Sequence, residues 1–282
     1  MSGSAVWVAA RCAMIAGAML AATACVRAAP AAPSPVLAGA RAAGLSLEDP
    51  IAVSAATVAE VEHALADVTG AEPRLRALRD YLYTQSERPF EYAPHLTLTA
   101  ERAWSERRGD CMAFSMLFAG LARGAGIPVY FVHVRDVESY YERGGELFVS
   151  SHVAVGYGRG PNAKIFDFKK EITDWKLSLY HDIDDDSARA LYYNNVAVDW
   201  MLSRRQAEAK RLFRVLIERA PAVAEPHNNF GVLLLRMGEQ AEALRALVGG
   251  SARFPSYKPL YTNALAAADA AGRPDKVAVF DA

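Results

Sequence analysis

Arg107-Arg-Gly-Asp-Cys-Met-Ala-Phe-Ser-Met-Leu-Phe-Ala-Gly-Leu-Ala-Arg-Gly-Ala-Gly-Ile-Pro128 is the stretch on which the reading of this chain turns. From Cys111 to Ala125 it is apolar almost all round, and Ser115 and Arg123 are the only polar side chains after the cysteine. A helix without a polar face is buried in the middle of a domain rather than laid on its surface. Gly124 and Gly126 stop it, and Pro128 excludes its continuation. Gly109 is placed to make the turn that precedes it, so Cys111 begins the buried helix. A thiol in that position has two advantages. The helix N-terminus favours the thiolate, and its unpaired backbone N–H groups stand ready for a developing oxyanion.

Working outward, Val58, Val61, Leu65 and Val68 recur at helical spacing, and Pro73 opens a second helix carrying Leu75, Leu78, Leu82 and Tyr83. A Pro/aromatic loop follows, Arg88-Pro-Phe-Glu-Tyr-Ala-Pro94, and then Thr99 to Trp104. On the other side of the buried helix, Val129–Val134, Leu147–Tyr157 and Lys164–Phe168 read as strands, with glycine turns at Gly144-Gly145 and Gly158-Arg-Gly160. Helices, a buried helix and then an antiparallel sheet predict an α+β domain over residues 51–180.

The remainder repeats itself. Leu191-Tyr-Tyr-Asn-Asn-Val-Ala-Val198 lies over Glu225-Pro-His-Asn-Asn-Phe-Gly-Val232 at an offset of 34, pairing Asn194 with Asn228 and Asn195 with Asn229. The same offset pairs Ala207-Glu-Ala209 with Ala241-Glu-Ala243 and takes Asn229 to Asn263, in a weaker third copy. This is the tetratricopeptide period, so residues 188–282 are predicted to be an all-α tetratricopeptide (αα solenoid) domain. Asp182-Ile-Asp-Asp-Asp-Ser187 joins the two parts. It is a solvated, helix-capping linker rather than a calcium loop, because Ser187 replaces the required glycine and Tyr193 the bidentate glutamate.

A cysteine nucleophile needs a base, and the base needs an orienting group. His152 opens Ser151-His-Val-Ala-Val155 on an otherwise mostly apolar strand, and Asp167 stands between two phenylalanines in Ile165-Phe-Asp-Phe168. If these strands are antiparallel neighbours, both side chains reach the cysteine. His133, in Val-His-Val, is the rival base. Gln85 and Trp104 are upstream candidates for a side-chain oxyanion donor. Scattered histidines and the lack of a C-x-x-C motif give no metal set, and neither glycine pair has a phosphate-binding context, so no cofactor is expected.

Arg108-Gly-Asp-Cys111, leading through Phe114, Leu117 and Leu121 into Ala125-Gly-Ile-Pro128, resembles the transglutaminase-like superfamily, as does the order Cys, His on a strand, Asp on the next. The resemblance covers about residues 70–175. It implies the papain-like fold, a Cys111 nucleophile, His152 as general base and acid, and Asp167 holding the imidazole. The chain is similar to bacterial transglutaminase-like proteins, often lipoproteins, that carry C-terminal tetratricopeptide repeats. Val153 departs from the aromatic residue that many members have after the catalytic histidine. The implied chemistry is attack on an amide carbonyl, with the acyl-enzyme released by water or by an amine.

Of the 282 residues, 31 are Lys or Arg and 32 Asp or Glu, so net charge gives no field to hold nucleic acid. The three cysteines, Cys12, Cys25 and Cys111, are no disulfide framework. Residues 1–24 read as a signal peptide whose apolar run is too short for a stable membrane span. Leu20-Ala-Ala-Thr-Ala-Cys25 resembles a lipobox, with Ala22 in place of the preferred Leu. It implies lipidation of Cys25, while Ala22-Thr-Ala24 also reads as an ordinary cleavage site. Val26 after Cys25 leans towards the outer membrane, and residues 25–50 are expected to be a flexible tether.

The expectation is therefore an exported, periplasm-facing cysteine amide hydrolase or acyltransferase. It acts on a peptide or protein, binds a protein partner through its repeats, and meets the membrane through an N-terminal lipid. The competing reading is a peptide-binding scaffold lipoprotein without turnover.

Overall fold

The computed structural model describes residues 33–85, 88–143, 146–167 and 180–272. The signal peptide, Cys25, the Gly144-Gly145 turn and Phe168 lie outside the described residues. The later part of the expected tether does not hang free. Pro35–Ala42 form helix α1, opened by Ser34 as N-cap, which accepts from the Leu37 N–H at 3.3 Å. Val36, Gly39 and Ala40 are buried against the helices α6 (Asp185–Leu202) and α7 (Gln206–Arg219). A Cβ on Gly39 would come within 2.9 Å of Arg219 Cγ and 3.1 Å of Val215 Cγ1, so glycine lets α1 sit close on α7 without displacing these side chains. Asp49 holds Arg189 of α6 in a two-pronged pair (3.0 and 2.8 Å), and Ser34 donates to Asp186. The period was hidden because small residues, rather than large apolar ones, make the buried stripe.

Helices α2 (Ala55–Ala64) and α3 (Ala71–Asp80) follow, and α3 widens into a π-helical turn at Tyr81–Gln85. The short strand β1 (Glu91–Tyr92) pairs in parallel with β2 (Arg108–Gly109), and α4 (Ala100–Glu106) lies between them. Helix α5 (Cys111–Gly124) is the predicted buried helix, with every residue from Met112 to Ala122 shielded from solvent. Gly120 makes this possible on one side, since a Cβ there would meet the Ile51 carbonyl at 2.4 Å. Ser115, one of its two polar side chains, donates to the Val153 carbonyl at 2.9 Å and so ties the helix to the sheet. At the far end Arg123 donates to the Val129 carbonyl and forks onto both oxygens of Asp185 (2.7 and 2.8 Å).

The sheet is antiparallel, in the order β5 (Lys164–Phe166), β4 (Glu146–Tyr157), β3 (Tyr130–Arg143), β6 (Tyr180–Ile183). Strand β3 runs well beyond the predicted Val134, with an irregularity in register between Val134 and Ser139. Strand β5 ends at Phe166, one residue before Asp167.

From α6 onward the chain is mostly helical. After α7 come α8 (Ala224–Arg236), α9 (Gln240–Arg253) and α10 (Lys258–Ala270), each packed on its predecessor, with α8 also touching α6 and α10. Asn229 Nδ2 donates to Asn194 Oδ1 (2.9 Å), and Asn263 Nδ2 to Asn228 Oδ1 (2.8 Å). One apolar core runs from Val36 through Phe118 to Leu260, so the helical region is continuous with the α+β part rather than tethered to it. Among the described residues, no helix is long and apolar enough to cross a membrane.

Candidate active site

Cys111 is the first residue of α5 and is half-buried, with its thiol free. Two features of the approach set it there. Arg107 takes a left-handed backbone (φ 56°) at the end of α4, so the reversal falls there rather than at Gly109. Gly109 serves instead as a close contact, for a Cβ would lie 2.5 Å from that of Ala113. Asp110, in extended conformation, caps the helix by accepting the Ala113 N–H at 2.9 Å.

Strand pairing brings the other two residues together. Phe166 lies opposite Val155, so one residue further on Asp167 comes level with Ala154, on the same face as His152. His152 Nε2 is 2.6 Å from Asp167 Oδ2, and His152 also hydrogen bonds to Cys111. With Nε2 held by the carboxylate, Nδ1 is left for the sulfur. Asp167 is buried at the back of the site, whereas His152 keeps about a fifth of its side chain exposed. A reagent therefore meets the cysteine and histidine first and the carboxylate last.

Burial alone would drive the imidazole towards its neutral form. The Asp167 hydrogen bond, then that from Cys111, and the negative charge each carries outweigh it and push His152 up to about 10. Between its ordinary value of about 6.5 and this value, the folded protein holds a proton that the unfolded chain releases. The pair's contribution to stability is thus complete below about pH 6.5 and lost as the pH rises towards about 10. Urea midpoints taken from pH 6 to 10 should fall more steeply for the wild type than for His152→Ala. Parallel slopes would show that the proton is not held.

Three tyrosines surround this arrangement and were not picked out as site residues from sequence. Burial, and then the Asp167 charge, raise Tyr83 well above the ordinary phenol range and push Tyr180 up to about 12. Burial, followed by the charges of Cys111, Asp110 and Asp167, pushes Tyr92 up to about 12. Their hydroxyls stay protonated and able to donate. Only Tyr92 had a usable signal, in the Pro/aromatic loop whose two-residue strand pairs it with Gly109.

His133 Nε2 sits 3.2 Å from Glu225 Oε1 on α8, both residues buried, without the alignment of a hydrogen bond. Trp104 stacks on Tyr81 at 6.4 Å between ring centres and has the Arg107 guanidinium 3.7 Å from its ring centre. The Gln85 side chain is outside those described. Among the described residues, no group of three or more His, Cys, Asp or Glu is placed to hold a metal ion.

Comparison with curated proteins and with solved structures finds no match. The family model for the Transglutaminase-like superfamily matches residues 58–160, a span that contains Cys111 and His152 and ends before Asp167. Residues 58–160 are a transglutaminase-like superfamily domain.

Proposed function

We propose that the protein is an exported cysteine-dependent amide hydrolase or acyltransferase, with Cys111 as nucleophile, His152 as general base and acid, and Asp167 as the group that orients the imidazole. The observation that supports it most directly is the unbroken chain from Asp167 through His152 to a thiol at a helix N-terminus. The superfamily generally has cysteine-dependent activity.

The roles follow from position. His152 takes the thiol proton, and the sulfur attacks an amide carbonyl. The negative charge on the carbonyl oxygen develops near the Cys111 backbone N–H at the start of α5. His152 returns the proton to the departing amine, and Asp167 stabilises the imidazolium between these steps. Water then hydrolyses the thioester, or a second amine takes the acyl group.

The helices from α6 to α10, whose asparagines recur every 34 residues and are hydrogen bonded 35 apart, are read as tetratricopeptide repeats that recruit a protein partner. Cys25 is read as the lipid attachment site on the periplasmic side of a bacterial membrane. Complementation of a deletion strain tests the enzymatic reading: Cys111→Ala, produced at wild-type level, should fail to restore function. Full restoration would favour a scaffold without turnover.

A further inference from the structure

The asparagine pairs of the helical region follow a rule. An asparagine of each later copy donates to the first asparagine of the preceding pair: Asn229 to Asn194 at 2.9 Å, and Asn263, which follows Thr262 rather than another asparagine, to Asn228 at 2.8 Å. Asn228 Nδ2 also joins Asn229 Oδ1 at 3.1 Å, so the amides form a continuous ladder. Asn195 on α6 is the second asparagine of the first pair and has no earlier pair to meet. Its Nδ2 donates instead to Thr97 Oγ1, at 3.3 Å, in the segment before α4. Thr97 in turn donates to Asp110 Oδ2.

Asp110 is buried, and its other oxygen caps the helix that begins with Cys111. A buried carboxylate needs its lone pairs occupied, and a hydroxyl that accepts one hydrogen bond is held and polarised to donate another. Thr97 therefore joins Asn195 of α6 to the cap beneath the thiol. Tyr192, three positions before Asn195 on the same helix, is buried within reach of the Asp110 charge and brings α6 to the same place.

Resting on the proposed nucleophile, we propose that Thr97 and Asn195 are positioning residues for Cys111, through which the first helix of the repeat array holds the N-cap of the catalytic helix in place. Neither touches the reacting atoms. Their effect is carried by the orientation of Asp110, and so of the first turn of α5, where the thiol meets His152.

The test is the rate of Cys111 alkylation by iodoacetamide in the full mature protein at pH 6, with urea midpoints measured alongside. Thr97→Val keeps the side-chain volume and removes the hydroxyl, and should slow labelling about fivefold, as expected for loss of a hydrogen bond to a charged group. Thr97→Ser should restore the rate to within about twofold, and Asn195→Ala should slow it by about threefold. Asn263→Ala, at the far end of the ladder, should lower the urea midpoint and be labelled at the wild-type rate. The inference is overturned if Thr97→Val is labelled like the wild type. It is equally overturned if Thr97→Ser is as slow as Thr97→Val, or if Asn263→Ala is slowed as much. A wild type alkylated no faster than free cysteine fails in a different way: it removes the nucleophile itself, and this inference with it.

Discussion

His152→Ala should slow alkylation of Cys111 by iodoacetamide at pH 6 by about tenfold. An unperturbed thiol, with a pKa of about 8.5, is less than about 1 % ionised at that pH. The hydrogen bond between His152 and Cys111 lets the imidazole carry the thiol proton, and the raised affinity of His152 keeps it there. Loss of a partner that accepts the thiol proton is expected to cost about tenfold in rate. Asp167→Asn should show a smaller decrease, since it removes the charge that stabilises the imidazolium while keeping a side chain of similar shape beside Nε2. Equal labelling of wild type and His152→Ala would separate the histidine from the thiol and end the triad assignment.

The largest effect on stability is expected at Phe118. It is fully buried in α5, packs on Phe114 at 5.6 Å between ring centres, and stacks on Phe166 at 5.3 Å. Phe118→Ala removes a ring from a helix already shielded along its length, and should cost about 3–5 kcal/mol in urea-monitored unfolding. Against a typical total of about 5–15 kcal/mol, that leaves little margin. Phe166 immediately precedes Asp167, so the same ring supports the carboxylate that holds His152. Phe118→Leu fills much of the space and should cost less than half as much. A loss below about 1 kcal/mol for Phe118→Ala would mean that the α5–sheet interface can collapse around the gap.

What was legible in sequence follows the strength of each local signal. The buried helix announced itself by uninterrupted apolar residues and glycine and proline stops, and the cysteine by its place at the start of it. His152 and Asp167 stood out as polar residues on apolar strands, and pairing in register was enough to join them. The asparagine repeat carried its own period. Other features were hidden for physical reasons. Helix α1 buries itself through Gly39 and Ala40, which leave no conventional stripe. Gly109 has the composition of a turn, but the left-handed residue is Arg107, a type that rarely adopts that conformation. Thr97 is one hydroxyl among many until α6 folds back and presents Asn195 to it.

Under the proposed lipidation of Cys25, the docking of α1 also limits how far the protein can stand from a bilayer. Ser34 is fixed to α6, and only the eight residues 26–33 lie between it and Cys25. Even fully extended, that leash reaches no more than about 30 Å. Under the proposed lipidation of Cys25, the body would be confined to a layer of about that depth. Under that proposal its acyl donors would be proteins of the membrane surface or molecules that diffuse into that layer. Lengthening the leash by insertion after Ala28, with every catalytic residue untouched, would change which substrates it meets.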